Sequence, residues 1–305
     1  MRLRIGAGLL GLAVVALLAA GCSGDGAPSG GGAAQAPGAP SVVVTYPVLG
    51  AVVADLVGDR ATVTVLMPNG VDPHDWSPSA KDIERVEKAD LVVANGLGLE
   101  SGLDKALAEA EKRGVAVFRA TDHVTLRQPS PGEAPGEAAA DPHFWVDPLA
   151  MRDVVLALAP ALAAVGVDVA DRAPALATRL TELDAATRAT LSVVPEARRL
   201  LVTGHESMGY FADRYGFRLV GTVVPGLTSQ GEVAAGQLAD LRAAIEAAGV
   251  KVIFTEIGTP SSVVEAIGKE TGAAVVQLPS HTLPADGTYA SFIGQIATAI
   301  ATALR

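Results

Sequence analysis

Cysteine is all but missing from this sequence: the 305 residues contain one. A single thiol excludes a disulfide framework, a cysteine-based zinc site and a Cys-x-x-Cys redox centre within the chain. Basic charge is also scarce. Lys and Arg number 23 against 33 Asp and Glu, for a formal charge of −10, and they form no cluster. Phosphate contacts need concentrated positive charge, so nucleic acid is excluded as a partner. Two catalytic signatures are absent as well. There is no GxxxxGK[ST] phosphate loop, and His205-Glu206 is followed by Gly209 where the zincin pattern HExxH requires a second histidine.

What is present is apolar: half of the chain is hydrophobic and only 18% is charged. That composition is too hydrophobic for disorder, and the length suffices for one large core or two smaller ones. The first residues read as an address. Arg2 and Arg4 precede an apolar run of 16 residues, Ile5 to Ala20, that ends in small residues. This is the plan of a secretory signal, and the run is shorter than the ~18–20 residues of a permanent membrane span. The signal is assigned to residues 1–21. Gly6-Ala7-Gly8-Leu9-Leu10-Gly11 inside it matches GxGxxG, but no strand precedes it, so it is a chance match. The lone Cys22 stands directly after Leu18-Ala19-Ala20-Gly21, which resembles a bacterial lipobox with Cys22 as the lipidated residue. Residues 23–40 contain six Gly, three Pro and two Ser in 18 positions. Such a segment is a flexible tether with a mean reach of about 23 Å.

From Ser41 onward the pattern changes. SVVVTYP, ATVTVLMP, DLVVAN and VAVFRA are short Val-rich runs that read as buried strands of a parallel sheet. Ser79 and Asp82 stand in capping-box positions before the helical Ile83 and Val86. After about residue 196 the plan repeats with RLLVTGH, FRLVGTVV, KVIFTE and AAVVQL, interleaved with the helical QLADLRAAIEAAG and PSSVVEAIGKETG. Between the halves, Leu176, Leu180, Leu183 and Leu191 recur at helical spacing, with Pro174 suited to a first turn and Pro195 to the end. The expected fold is therefore α/β, with two lobes, each a mainly parallel sheet with flanking helices. An N-lobe over 41–168, a single bridging helix within 169–195 and a C-lobe over 196–305 complete the division. Residues 125–140, rich in Pro, Gly and Glu, read as a mobile loop.

The chemistry lies with five histidines. His74 sits in Asn-Gly-Val-Asp-Pro-His-Asp-Trp after the second strand, His143 in Asp-Pro-His-Phe-Trp-Val-Asp-Pro, and His205 closes the strand RLLVTG. Each lies on a loop or at a strand end, and in open α/β sheets ligands bind beyond the strand C-termini. Neutral imidazole is a good ligand for Zn, Cu, Fe or Ni, and a nearby acidic residue can fix its tautomer. The repeated Asp-Pro-His stiffens the presentation of two of the three, because proline fixes φ beside the histidine.

Asp-Pro-His-Asp-Trp-Ser-Pro-Ser, Asp-Pro-His-Phe-Trp-Val-Asp-Pro, Val-Thr-Gly-His-Glu and Ala-Asp-Gly-Thr-Tyr occur in this order, with the long helix between the second and third. The ordered set resembles the metal-binding solute-binding proteins of zinc and manganese ABC transporters, cluster A-I, over about residues 41–305. The resemblance implies a cleft metal held by His74, His143 and His205 together with a carboxylate matching Asp286. Glu256, at the end of a C-lobe strand, is the competing carboxylate. Three imidazoles and one carboxylate suit tetrahedral Zn2+ better than Mn2+, which prefers more oxygen. The resemblance further implies delivery of the ion to a membrane permease driven by an ATPase, a lipid-anchored place on the outer face of the cytoplasmic membrane, monomeric action and no enzymatic activity. It also implies that Trp76 and Trp145 wall the cleft, with core packing as the alternative. His123 and His281 read as loop histidines, with a metal-gathering role for His123 and a second-layer role for His281 as alternatives.

The rival class is a hydrolase. His205-Glu206-Ser207-Met208-Gly209 approximates the GxSxG elbow with its first glycine replaced. Ser207 would then pair with His281, and Asp240 lies between them in the chain order of α/β-hydrolases. A three-histidine catalytic zinc, with an open position for water, is a second enzymatic reading. A surface adhesin has no specific support in the sequence.

Overall fold

A computed structural model describes residues 38–127 and 140–305. The signal segment, Cys22, most of the tether and most of the 125–140 loop lie outside the described residues. All eight expected strands form. The first four, β1 (Ser41–Val44), β2 (Thr62–Val65), β3 (Leu91–Ala94) and β4 (Ala116–Arg119), make one parallel sheet in the order β2-β1-β3-β4. The second four, β5 (Leu200–Thr203), β6 (Arg218–Thr222), β7 (Val252–Thr255) and β8 (Ala274–Gln277), form two parallel pairs, β5–β6 and β7–β8. β5 neighbours β7, so the second lobe repeats the strand order of the first. The hydrogen-bond ladder is not continuous between the two pairs, a departure from a single second sheet.

Residues of the central strands β1, β3, β5 and β7 alternate between two buried environments, as a sheet covered on both faces requires. In the first lobe Val42, Val44, Leu91 and Val93 face an inner core, while Val43, Val92 and Ala94 face an outer layer. That outer layer is built on helices α2 (Ala80–Glu87) and α3 (Asp104–Lys112). In the second lobe Leu201, Val252 and Phe254 face inward, and Val202 and Ile253 face α7 (Ala235–Ala248) and α8 (Ser261–Thr271). The expected capping box is present: Ser79 Oγ accepts from the Asp82 N–H, and the Asp82 carboxylate accepts from the Ser79 N–H and hydroxyl.

The inner core is common to both lobes. The helix α1 (Pro47–Val57) and the strongly apolar α4 (Pro148–Ala164) contribute from the first lobe, and α6 (Gly209–Tyr215) from the second. The bridging helix α5 (Arg172–Leu191) has 20 residues, about 30 Å at 1.5 Å per residue. It buries Leu176, Leu180 and Leu191 in this core, with Leu183 packed at its edge. The last helix, α9 (Tyr289–Leu304), packs against α5 and adds Phe292, Ile293, Ile296 and Ile300. The lobes are thus joined by two helices and one continuous apolar layer. Among the described residues no helix is long and apolar enough to cross a membrane.

A shared core predicts shared unfolding. Leu180→Ala should lower the free energy of unfolding by about 2–5 kcal/mol. Tryptophan fluorescence, which reports on the first lobe, and far-ultraviolet circular dichroism, which reports on both, should follow one transition in urea. Two separated transitions would contradict a common core.

Candidate metal centre

Four histidines, not three, converge. His74, His143, His205 and His281 each offer a ring nitrogen, and the four atoms lie within 4.8 Å of one another. The parallel strands explain the convergence. His74 follows β2, His143 lies on the loop beyond β4, His205 stands two residues past β5 and His281 four past β8, all at strand C-terminal ends. His143, His205 and His281 are buried and His74 is half-buried, so the site is reached from the side of His74.

Each Asp-Pro-His segment folds the same way. Asp72 Oδ1 accepts the His74 N–H at 3.0 Å, and Asp141 Oδ1 accepts the His143 N–H at 2.9 Å. The aspartate thereby turns the chain back on itself and aims the histidine. Asp141 Oδ1 also meets His143 Nδ1 at 2.8 Å. Asn95 Nδ2 donates to the Pro142 carbonyl, the Tyr289 hydroxyl donates to the Trp145 carbonyl, and Trp145 Nε1 donates to the Ser280 carbonyl. These bonds tie the His143 loop to both lobes. Three more cross from the His74 loop to the second lobe. Asn69 exchanges a pair of hydrogen bonds with the Leu283 backbone, and the Ser229 hydroxyl donates to Asp72 Oδ2 at 2.5 Å. Gly258, at φ +83°, allows that approach, because a side chain there would overlap the Asp72 carboxylate and Ser229.

The expected carboxylates take other places. Asp286, expected as the fourth ligand, is exposed and outside the cluster. Its Oδ1 accepts from the Thr288 N–H and hydroxyl, and its Oδ2 from Ser291, in the turn that starts α9. Asp286 thus closes a local turn before α9. Glu256, the competing carboxylate, is buried behind the ligands. Its Oε1 stands 3.1 Å from His205 Nδ1, out of hydrogen-bond alignment, and accepts the His205 N–H at 3.1 Å. His123, exposed, stacks on Phe118 away from the cluster. Trp145 is fully buried, with its ring 5.1 Å from that of His143 and 5.5 Å from that of His281; it both walls the site and fills the core. Trp76 packs where the two first-lobe clusters meet.

The hydrolase arrangement is not assembled. The Ser207 hydroxyl donates to both oxygens of Glu256 at 2.9 and 2.7 Å, and Asp240 is exposed on α7.

The electrostatics fit a cation. Nε2 of His143 lies 3.2 Å from Nε2 of His74 and 3.2 Å from Nε2 of His205. A carboxylate behind His143 and another behind His205 favour a proton on each Nδ1, leaving bare Nε2 lone pairs facing one another. His281 Nε2 is buried with no hydrogen-bond partner. A cation at the centre would satisfy all of them. Burial, then the neighbouring rings, holds His74 far below the ordinary imidazole range. Burial does the same to His143. It depresses His281 to about 3, with His205 and His143 adding to the effect against the pull of Glu256. His205 is also penalised by burial, but Glu256 outweighs the penalty and the net shift is upward. Burial lifts Asp141 to about 6 against the pull of the His143 N–H and Arg127.

A histidine kept neutral in the fold stabilises less as the unfolded chain begins to take up protons near pH 6.5, whereas one with a raised value contributes the reverse. Between pH 7 and pH 6 three depressed rings outnumber the two raised groups that oppose them, His205 and the Asp141 carboxyl, which takes up protons in the fold but not in the unfolded chain. The unfolding free energy of the metal-free protein should therefore fall over that interval, by up to about 1.4 kcal/mol per pH unit for each uncompensated proton. Denaturant titrations at the two pH values measure it, and equal or greater stability at pH 6 would contradict these assignments.

A family model described as "ZnuA: Zinc-uptake complex component A periplasmic" matches residues 42–303. The zinc-binding protein TroA of Treponema pallidum is 31% identical over 239 residues, covering 77% of this chain and 75% of TroA. A solved structure of TroA superposes with a TM-score of 0.76 at 28% identity, covering 88% of this chain and 99% of that one. The high-affinity zinc uptake system protein ZnuA of Bacillus subtilis is 30% identical, covering 87% and 85% of the two chains. The manganese-binding lipoprotein MntA of Halalkalibacterium halodurans is 27% identical, covering 86% and 84%.

Proposed function

This chain belongs to the ZnuA family of zinc-uptake components, and from that membership and its four-histidine cluster we propose that it is the extracytoplasmic receptor of a metal-uptake ABC transporter, with Zn2+ as its cargo. The observation that carries the reading is the set of four imidazole nitrogens within 4.8 Å of one another. Four nitrogen donors match the tetrahedral preference of Zn2+. They offer none of the oxygen that Mn2+ favours, although one relative is named for manganese. An all-imidazole set would also bind Cu2+ strongly, so metal supply as well as affinity decides what is carried.

His143, His205 and His281 wait in the buried wall, and His74 completes the shell from its half-exposed loop. The Asn69–Leu283 and Asp72–Ser229 bonds hold that loop against the second lobe. Release to the permease requires them to open. The continuous core limits the accompanying lobe movement to small shifts and loop ordering. Cys22 carries the lipid, residues 23–40 are the tether, and the receptor acts as a monomer. Four filled positions leave none for a catalytic water, which disfavours the hydrolytic zinc reading.

Chelator competition on purified, metal-stripped protein tests the ligand set. His74→Ala, His143→Ala, His205→Ala and His281→Ala should each weaken zinc binding by about 10-fold or more, while Asp286→Ala should leave it unchanged. Loss of affinity in Asp286→Ala with none in His281→Ala would restore the three-histidine, one-carboxylate site.

A further inference from the structure

Glu256 is buried among the two second-lobe histidines and makes more contacts than a structural carboxylate needs. Oε1 accepts the His205 N–H at 3.1 Å and stands 3.1 Å from His205 Nδ1. The Ser207 hydroxyl donates to both oxygens. The Ser280 hydroxyl donates to Oε2, and the same Ser280 Oγ lies 2.9 Å from His281 Nδ1. A serine hydroxyl has one proton. With that proton directed at Glu256, Ser280 Oγ can only accept from His281, which places a proton on His281 Nδ1. At His205 a bare Nδ1 lone pair facing Oε1 would be repelled, so Nδ1 carries the proton there too.

We infer that Glu256 is a positioning residue that sets the tautomer of two ligands at once, His205 directly and His281 through Ser280. One carboxylate, itself outside the metal's reach of ligands, thereby presents both second-lobe Nε2 lone pairs to the cleft. Its negative charge also offsets that of a dication held by four neutral rings. Gly204 belongs to the same device: a side chain there would overlap the Glu256 Cγ and Thr259, so the carboxylate reaches His205 only because residue 204 is glycine. Asp141 performs the direct half of this role for His143 in the first lobe. The relay through a hydroxyl, serving a second ligand, is found at Glu256.

The inference rests on the four-histidine reading, and the experiment separates the two. Zinc affinity is measured by chelator competition for wild type, Glu256→Gln and Ser280→Ala, and imidazole tautomers are read by 15N NMR on the metal-free proteins. Glu256→Gln, which keeps the shape and removes the charge, should bind zinc about 10- to 100-fold more weakly. Ser280→Ala should weaken it less. In wild type, His205 and His281 should both carry the Nδ1 proton. In Ser280→Ala, His281 should lose that preference and His205 keep it, a split that general loosening of the fold would not produce. Wild-type zinc affinity in Glu256→Gln, or Nε2-protonated His205 and His281 in the native protein, would overturn the role of Glu256 alone. Failure of the wild type to bind zinc would overturn the metal reading and this inference with it.

Discussion

Four imidazoles can share a buried cleft only if their lone pairs are aimed inward and something behind each ring holds it there. Two carboxylates provide that backing for His143 and His205. Asp141 takes both the backbone and the ring of His143, and Glu256 takes the backbone of His205 and stands against its ring. The nitrogens left facing the centre are 3.2 Å apart, a separation that is unfavourable for bare lone pairs and favourable around a cation. Burial disfavours a charge on His205, but Glu256 outweighs that penalty and the net shift of its pKa is upward. Burial penalises every charged ring, so the neutral, metal-ready form is the one the fold favours at His74, His143 and His281.

The architecture exists to hold that geometry. Parallel strands deliver their C-terminal loops to one edge, and equivalent strand orders in two lobes bring two such edges together. A hinge of flexible chain would let the halves drift. Here α5 and α9 bury a common apolar layer that includes residues from both sheets. The parts left adjustable are polar: the His74 loop meets the second lobe through hydrogen bonds at Asn69 and Asp72, which water can replace at modest cost.

Much of this was legible in the sequence, because its signals are local. The Val-rich runs became β1 to β8, the Leu spacing became α5, and the Ser79–Asp82 box formed as expected. His74, His143 and His205 were marked by Asp-Pro-His and by a strand end. His281 carries no such mark: what makes it a neighbour of His205 is the place of β7 between β5 and β8, a tertiary fact. Its position just past a strand end was the one available signal. Asp286 stands in Ala-Asp-Gly-Thr-Tyr, a pattern that equally describes a turn leading into a helix, which is the use the fold makes of it. Glu256 is legible in the sequence as a carboxylate at a strand end, yet its place behind the ring depends on Gly204, Ser207 and Ser280, three small residues that mean nothing until the strands are assembled.

The donor set follows from this. In the proposed site a fourth nitrogen in place of an oxygen would favour zinc and its neighbours over manganese, within a family whose named members include both metals. The most direct test is the X-ray absorption spectrum of the fully zinc-loaded protein. Four imidazole nitrogens at about 2.0–2.1 Å, with the multiple-scattering pattern of four rings, is the predicted result. A shell of three imidazoles and one carboxylate oxygen would contradict it.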